Sequence, residues 1–332
     1  MVKKKKLIIG CGVAVLVLLV IALFGGSCYM LNYSLAPVDN RTDTAYWFRK
    51  QFKTYPETQS WVDSLRRIHA LRDTFVVMPG SGEKHHAYYV RNGSQKTALV
   101  IHGWRDCAID FFYLARMYER ELGYQMVMPD LHAHGLSEGD MIQMGWLDRK
   151  DMLHWLSLFQ TDTMVVHGVS MGGATTMMLS GESMPEGISS LHFVDDCGYT
   201  SVWDEFKGEL RNQFGLPPFP LLHTASLLCK LRYGWSFSEA SPIRAVSRSP
   251  FPMLFIHGNK DTFVPTEMVY RLYEAKPSKK SLWITEGAEH AKSYLIHKEE
   301  YVDKVRNFVN DTDNRHLNNI DSIKTSEHVW EE

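Results

Sequence analysis

Short apolar segments that alternate with helical segments are the feature that most restricts the fold of this chain. Strand-like runs are predicted at residues 75–78, 87–90, 98–101, 125–130, 163–168, 191–196, 252–258 and 282–287. From the third run onward, amphipathic helical segments separate most of them. Strands joined through helices make right-handed crossovers, which produce a parallel sheet with helices on both faces. The pattern predicts an α/β fold with a mostly parallel, eight-stranded sheet.

The N-terminus has the composition of a membrane anchor. A lysine cluster, Lys3 to Lys6, precedes an uncharged apolar run from Leu7 to Phe24. A helix of about 20 apolar residues spans the hydrocarbon core of a bilayer, so the run predicts one transmembrane helix. The lysines favour a cytoplasmic N-terminus and an extracytoplasmic body. Two alternatives are a cleaved signal peptide, although no A-x-A-like site follows, and lipoprotein processing at Cys28, which lacks the usual upstream leucine.

The chain is predicted to divide into an anchor, a lead-in, a main domain and a tail. Residues 1–30 contain the lysine cluster and the anchor, and residues 31–72 form a helical lead-in. The main domain covers residues 73–310, and residues 311–332 form a polar tail. The stretch 199–246 interrupts the alternation because it is helical in places but contains no strand-like run. We expect it to be a short helical cap inserted over the C-terminal edge of the sheet.

Composition sets no preference for a charged partner. The chain has 36 basic and 38 acidic residues and a formal net charge of −2, so no overall field attracts nucleic acid. We therefore expect no nucleic-acid partner. The five cysteines lack the spacing of a disulfide framework and are expected to be free thiols.

A serine lies at the apex of a tight turn in the sequence Gly168-Val169-Ser170-Met171-Gly172. A predicted strand precedes this turn and a predicted helix follows it, which is the context of a nucleophile elbow. Such a turn holds the hydroxyl at a helix N-terminus, where backbone N–H groups stabilise negative charge. The alternative is that the glycines only end a strand and the serine only caps a helix.

A nucleophilic serine needs a histidine base that is oriented by a carboxylate. In the nucleophile-elbow fold, the acid and then the histidine follow the serine along the chain. Asp261 and His290 occur in that order, each in the loop after a predicted strand, where catalytic groups gather in parallel sheets. We predict a triad of Ser170, Asp261 and His290. Asp195 and Asp196, which end the sixth strand, are an alternative source of the acid.

Two backbone amides are predicted to form an oxyanion hole. The amide of Met171 follows the serine directly, and the amide of Trp104 lies in the loop after the third strand. Both positions can donate to the negative oxygen of a tetrahedral intermediate.

Several longer stretches resemble bacterial membrane-anchored α/β-hydrolases of the serine-aminopeptidase-like and monoacylglycerol-lipase-like group. The resemblance extends from about Phe75 to Phe308 and is carried by LVIHGW, MPDLHAHGLSEG, GWLDRKDM, VVHGVSMGGATTMM, DDCGYTSVWDEF, FIHGNKDTFVP and GAEHAKSY. His132 stands where many relatives have an arginine, a departure that affects the local loop and not the triad. The resemblance implies the α/β-hydrolase fold and hydrolysis of an ester, thioester or amide.

Aromatic residues of the cap segment predict an apolar substrate pocket. Trp203, Phe206 and Trp235 are expected to bind substrate. An apolar lining favours a small-molecule carboxylic ester, cleaved through an acyl-enzyme intermediate. Acidic cap residues that could bind an α-amine keep an aminopeptidase-like hydrolase of short peptides as an alternative: Glu205, Glu209 and Glu239. A non-catalytic, membrane-tethered binding module is the second alternative.

The predicted chemistry requires no cofactor. His132-x-His134 and His85-His86 are pairs of metal-ligating residues, but a metal site needs three or four ligands. Neither pair has a cysteine or carboxylate at a usable spacing. We therefore predict no metal site.

Overall fold

The computed structural model describes residues 2–277 and 279–310. The predicted polar tail at 311–332 lies outside the described residues. The chain forms two compact units. The smaller unit combines the chain up to Ala36 with Ser201–Ser241, and the larger unit combines Pro37–Thr200 with the described chain from Pro242 onward.

An eight-stranded sheet forms the centre of the larger unit, with the order β1-β2-β4-β3-β5-β6-β7-β8. Strand β2 pairs antiparallel with β1 and β4, and all other neighbours are parallel. The strands are β1 (Leu71–Val77), β2 (Lys84–Val90), β3 (Lys96–Ile101), β4 (Gln125–Pro129), β5 (Thr161–Val169), β6 (Ile188–Asp196), β7 (Met253–Gly258) and β8 (Lys280–Thr285). The predicted mostly parallel, eight-stranded sheet is confirmed.

Burial of both sheet faces explains why the central strands are apolar without alternation. Every residue of β7 is buried, and Asp162 is the one exposed residue of β5. A strand covered by helices on both faces needs apolar side chains in both directions. The edge strand β1 has no fully buried residue, which is the burial expected of an edge.

Helices cover the sheet and also form the smaller unit. They are α1 (Val2–Leu35), α2 (Thr44–Thr54), α3 (Glu57–Arg67), α4 (Phe112–Arg116), α5 (Asp148–Ser157), α6 (Met171–Leu179), α7 (Val202–Phe214), α8 (Leu221–Tyr233), α9 (Pro242–Val246), α10 (Glu267–Ala275), α11 (Ser293–Ile296) and α12 (residues 298–310). The smaller unit consists mainly of α1, α7 and α8, and its part from Ser201 to Ser241 contains helices and no strand.

One of the amphipathic helices predicted between the strands, at residues 110–122 between the third and fourth strand-like runs, differs from the observed structure. The segment that begins at residue 108 is a 3₁₀ turn (Ala108–Phe111), followed by the short helix α4 and a π-turn (Met117–Glu121). Its side chains are buried on nearly all sides, because Arg116 is the only residue from Phe112 to Tyr118 that is not fully buried. The exposed residues of this segment, Arg120 and Glu121, lie only at its end, so the part up to Tyr118 shows no clean amphipathic period.

Helix α1 is longer than the predicted anchor. It continues past Phe24, where the apolar run ends, to Leu35. Within the described chain, one helix, over Ile8–Leu35, is long and apolar enough to cross a bilayer. Its last turns carry a buried stripe of Ser27, Leu31 and Leu35, which gives this end of the helix a packing role.

Candidate active site

Ser170 occupies a strained turn between β5 and α6. Its φ is +58° and its ψ is −119°, a region that residues other than glycine rarely adopt. The chain can turn here only where side chains are absent. A Cβ on Gly168 would lie 2.0 Å from the carbonyl oxygen of Gly172. A Cβ on Gly172 would lie 2.1 Å from the carbonyl oxygen of Ile101. Strain of this kind is concentrated at functional sites, where it holds a side chain in place.

The hydroxyl of Ser170 belongs to a chain of hydrogen bonds. Ser170 Oγ donates to His290 Nε2 over 2.8 Å, and His290 Nδ1 donates to Asp261 Oδ2 over 2.7 Å. Within the described chain, the Ser170 side chain makes no capping hydrogen bond to α6. The structure therefore brings together the three residues of the predicted triad, and the interpretation of Ser170 as a helix cap does not account for its contacts.

Three loops supply these side chains from the same end of the sheet. Ser170 follows β5, Asp261 follows β7 and His290 follows β8. The strands β5 to β8 are parallel neighbours, so their carboxyl ends lie along one edge. This edge is where ligands bind in open parallel sheets.

Asp261 is held as a carboxylate by its surroundings. Its Oδ1 accepts from the backbone N–H groups of Phe263 and Val264 at 3.0 Å and 2.9 Å. Its Oδ2 lies 3.3 Å from His257 Nε2, besides its bond to His290. Burial opposes ionisation, but the hydrogen bonds from His257 and His290 outweigh it and lower the pKa of Asp261 to about 2. The acid is therefore charged at neutral pH.

His257 is a part of this site that the sequence analysis missed. It lies near the end of β7, and its Nε2 donates to the carbonyl of Val264 over 2.8 Å while facing Asp261. Burial alone would lower the pKa of His257, but its hydrogen bond with Asp261 and the other favourable contacts raise it. The available signal was its position four residues before Asp261 at a strand end, which by itself does not distinguish it from core packing.

The alternative acids have other partners. Asp196 Oδ2 accepts from the hydroxyl of Tyr301 over 2.8 Å, and Asp195 Oδ1 accepts from the backbone N–H of Gly198 over 3.1 Å. Burial raises the pKa of Asp195 to about 8 and that of Asp196 to about 6. The imidazole of His290 is bonded to Asp261, so the geometry favours Asp261 as the acid.

The predicted oxyanion-hole residues flank the serine. Met171 is the first residue of α6, where backbone N–H groups have no acceptor within the helix. Trp104 follows Gly103, and a Cβ on Gly103 would lie 3.6 Å from Cβ of Ser170. His102 fixes this loop, because its Nδ1 donates to Gly103 O over 2.8 Å and its Nε2 accepts from the N–H of Leu131 over 2.9 Å.

The aromatic residues predicted to bind substrate lie in the smaller unit. Trp203 is half-buried and packs edge-on against His223, with ring centroids 4.8 Å apart. Phe206 packs edge-on against Phe237 at 4.8 Å and lines an apolar groove of this unit. Trp235 is only 1% exposed, and its ring centroid lies 6.1 Å from that of Phe237.

The histidine pairs that were considered as metal ligands are mostly engaged within the protein. Their partners are Asp130 for His86, the carbonyl of Met141 for His132, and the backbone N–H of Arg105 for His134. Elsewhere, Cys197, Asp261 and His290 place potential metal-ligating atoms within 4.8 Å of one another. Both ring nitrogens of His290 already make hydrogen bonds, to Asp261 and Ser170, so a metal ion at that position would have to displace one of them.

Comparisons with known proteins agree with this fold. No protein-family model matches the sequence. The uncharacterized protein YqkD of Bacillus subtilis is 28% identical over 260 residues, which cover 76% of this chain and 84% of that protein. The esterase Pf2001 of Pyrococcus furiosus aligns with a TM-score of 0.60 at 22% identity, covering 74% of this chain and 93% of the esterase. A bacterial membrane phospholipase A aligns with a TM-score of 0.52 at 15% identity, covering 79% and 93% of the two chains. The chain has the α/β-hydrolase fold.

Proposed function

We propose that this protein is a serine hydrolase that cleaves a carboxylic ester through an acyl-enzyme intermediate. The observation that carries this proposal is the continuous hydrogen-bonded chain from Asp261 through His290 to Ser170, with lengths of 2.7 Å and 2.8 Å. The strained turn that presents the serine supports it, as does the likeness in fold to an esterase.

Acylation follows from the hydrogen-bond directions. Ser170 Oγ attacks the carbonyl carbon of the ester while His290 Nε2 takes the hydroxyl proton. The carboxylate of Asp261 stabilises the resulting imidazolium. The N–H groups of Met171 and Trp104 stabilise the oxyanion of the tetrahedral intermediate. The imidazolium then gives its proton to the leaving alkoxide, the ester C–O bond breaks, and an alcohol departs from the acyl-enzyme.

Deacylation repeats these steps with water. His290 removes a proton from water, whose oxygen attacks the acyl carbon of the ester on Ser170. The second tetrahedral intermediate collapses, the proton returns to Ser170 Oγ, and the carboxylic acid leaves. The chemistry draws only on residues of this chain, so EDTA should leave ester turnover unchanged.

The contacts of Glu239, one of the three acidic cap residues, favour an ester over a peptide. Glu239 receives hydrogen bonds from Lys230 Nζ and from Ser236 Oγ, each over 2.7 Å. These contacts lower the pKa of Glu239 to about 2. Its charge is matched by Lys230, so it is a poor receptor for the α-amine of a peptide. Glu209 lines the groove of the smaller unit and carries the aminopeptidase alternative.

We also propose that α1 anchors the enzyme in a membrane with the larger unit on the extracytoplasmic side. The lysines before the apolar run support this orientation. The helix is continuous through Cys28, and the buried stripe beyond Gly25 gives its end a structural role, which supports an uncleaved and non-lipidated anchor. A C-terminal reporter active only in the cytoplasm would reverse this topology.

A substrate panel tests the proposed reaction. We expect p-nitrophenyl esters to turn over faster than aminoacyl-p-nitroanilides, and Ser170→Ala to lower kcat on the best ester by at least about a thousandfold. Ser180→Ala is the matched control, because the hydroxyl of Ser180 donates only locally, to the carbonyl of Met177 at the end of α6. Faster turnover of the anilides would favour the aminopeptidase, and full activity of Ser170→Ala would remove the serine from the mechanism.

A further inference from the structure

The turn between α7 and α8 exposes apolar side chains on an uncharged stretch of chain. No residue from Asn212 to Leu222 carries a charge. Leu216 is 43% exposed and Phe219 is 70% exposed. Neighbouring apolar side chains without charged residues between them indicate an interaction surface more strongly than single exposed residues do.

Contacts within the smaller unit fix the level of this turn along α1. Ser27 Oγ donates to the carbonyl of Leu221 over 3.4 Å. A Cβ on Gly26 would lie 3.3 Å from Cδ1 of Leu221. The first residue of α8 therefore lies directly against Gly26 and Ser27.

The other end of the turn lies further from the apolar run. Tyr33 donates its hydroxyl to Gln213 Oε1 over 2.8 Å, and its ring packs edge-on against Phe214 at 5.8 Å. From Tyr33 back to Ser27, α1 advances about 9 Å, at 1.5 Å per residue. The chain between Phe214 and Leu221 thus runs along α1 toward the apolar run.

The expected boundary of the bilayer falls at the level of Leu221. The run from Leu7 to Phe24 is about 27 Å long as a helix, close to the roughly 30 Å of a hydrocarbon core. Ser27 lies about 4.5 Å beyond Phe24 along the axis, within a headgroup layer that is about 5–7 Å thick. Tyr29, which is 60% exposed, has the amphipathic ring that is common in this layer.

We propose that the turn from Gly215 to Pro220 inserts Leu216 and Phe219 into the interfacial layer of the bilayer that holds α1. This proposal rests on the proposed membrane anchor. We assign the contact of the turn to the lipid surface because α1, in the bilayer, places that surface at the level of the turn. The smaller unit is then fixed to the membrane at two points, the transmembrane helix and the turn.

Fluorescence quenching in vesicles tests this contact. The full chain carrying Cys11→Ser and Cys28→Ser, which removes both exposed cysteines, is the background. Phe219→Cys or Leu216→Cys is labelled with nitrobenzoxadiazole and reconstituted in phosphatidylcholine vesicles that contain lipids spin-labelled near the headgroup. Lys207→Cys, at an exposed polar position of α7, is the matched control. We expect severalfold stronger quenching at positions 216 and 219 than at 207.

A label on α1 separates the possible outcomes. If Leu19→Cys is quenched while positions 216 and 219 behave like 207, the anchor holds and the proposed contact of the turn is wrong. If Leu19→Cys is not quenched, α1 is not in the bilayer and the proposal is wrong with it. Fluorophosphonate labelling of Ser170 in the same samples reports the proposed hydrolase activity independently.

Discussion

Each side chain of the proposed triad has one protonation state that satisfies its hydrogen bonds. Asp261 accepts from two backbone amides at Oδ1 and from His290 at Oδ2, which also lies 3.3 Å from His257 Nε2, so it must be a carboxylate. His290 must then carry its proton on Nδ1, which leaves the lone pair of Nε2 for the hydroxyl of Ser170. The direction of proton transfer at Ser170 thus depends on the charge of Asp261.

Asp261→Asn tests that dependence. The amide oxygen can still accept from Phe263 and Val264, so we expect the variant to fold. The amide group can donate to His290 and stabilise the wrong tautomer, which should lower kcat by about ten-thousandfold. The measurement is ester turnover beside a thermal melt. Asp195→Asn is the matched control and should keep its activity. Activity of Asp261→Asn within tenfold of the wild type would contradict the assignment.

Asp195 predicts a pH dependence of stability. Burial raises its pKa from 3.8 to about 8 in the folded state, so the folded chain holds a proton that the unfolded chain releases near pH 4. The stability that this proton contributes is complete below about pH 4 and is lost as pH rises toward about 8. Asp195→Asn cannot ionise, so its Tm relative to wild type should increase from pH 5 to pH 8. A difference that is constant with pH would contradict an elevated pKa.

The triad could be predicted from sequence because its order along the chain and its positions after strands are local features. The role of His257 could not be predicted, because its contact with Asp261 depends on the conformation of the loop after β7. The same holds for the buried chain of hydrogen bonds in which His167 lies between Tyr118 and Tyr301, with bonds of 3.0 Å and 2.9 Å. These partners are far apart in sequence and meet only when the sheet and its helices pack.

At the scale of elements, the strand–turn–helix unit around Ser170 depends on space for the backbone. Gly172→Ala would place a methyl group against the carbonyl of Ile101. We expect the free energy of unfolding to fall by about 3 kcal/mol and ester turnover to be lost, because β3 and α6 must separate. Gly208→Ala is the matched control: nothing lies within 4 Å of its added Cβ, and alanine favours a helix interior by up to about 1 kcal/mol. Equal free energies of unfolding for Gly172→Ala and Gly208→Ala would contradict the close approach of Gly172 to the carbonyl of Ile101.

All eight strands could be predicted because each is marked by an apolar run of strand length, and from the third run onward helical segments separate most of them. The end of α1 could not be, because the residues after Phe24 lack the apolar composition that marks the anchor. The helix continues to Leu35, and in this part it makes hydrogen bonds within the smaller unit, from Ser27 to Leu221 and from Tyr33 to Gln213. The turn of π-helix at Met117–Glu121 likewise could not be predicted, because such turns are rare and the sequence has no local signal for one.

At the scale of the molecule, α1 is part of a folded unit as well as the proposed anchor. Two truncated chains separate these roles. A chain that starts at Gly25 keeps the buried stripe, and a chain that starts at Pro37 removes Leu31 and Leu35, which are 4% and 1% exposed. Each buried leucine contributes about 1.5–3 kcal/mol, so we expect the shorter chain to melt several degrees lower or to aggregate. Equal Tm values would show that α1 is only an anchor.

The central claim is that Ser170 is a nucleophile activated by His290, and reaction with a fluorophosphonate tests it most directly. This probe forms a covalent bond with an activated serine, and peptide mass spectrometry identifies the residue that carries it. We expect one label on Ser170 of the folded full-length protein, no label in Ser170→Ala, and strongly slowed labelling in Asp261→Asn. Folded protein that stays unlabelled, or a label that persists in Ser170→Ala, would contradict the account.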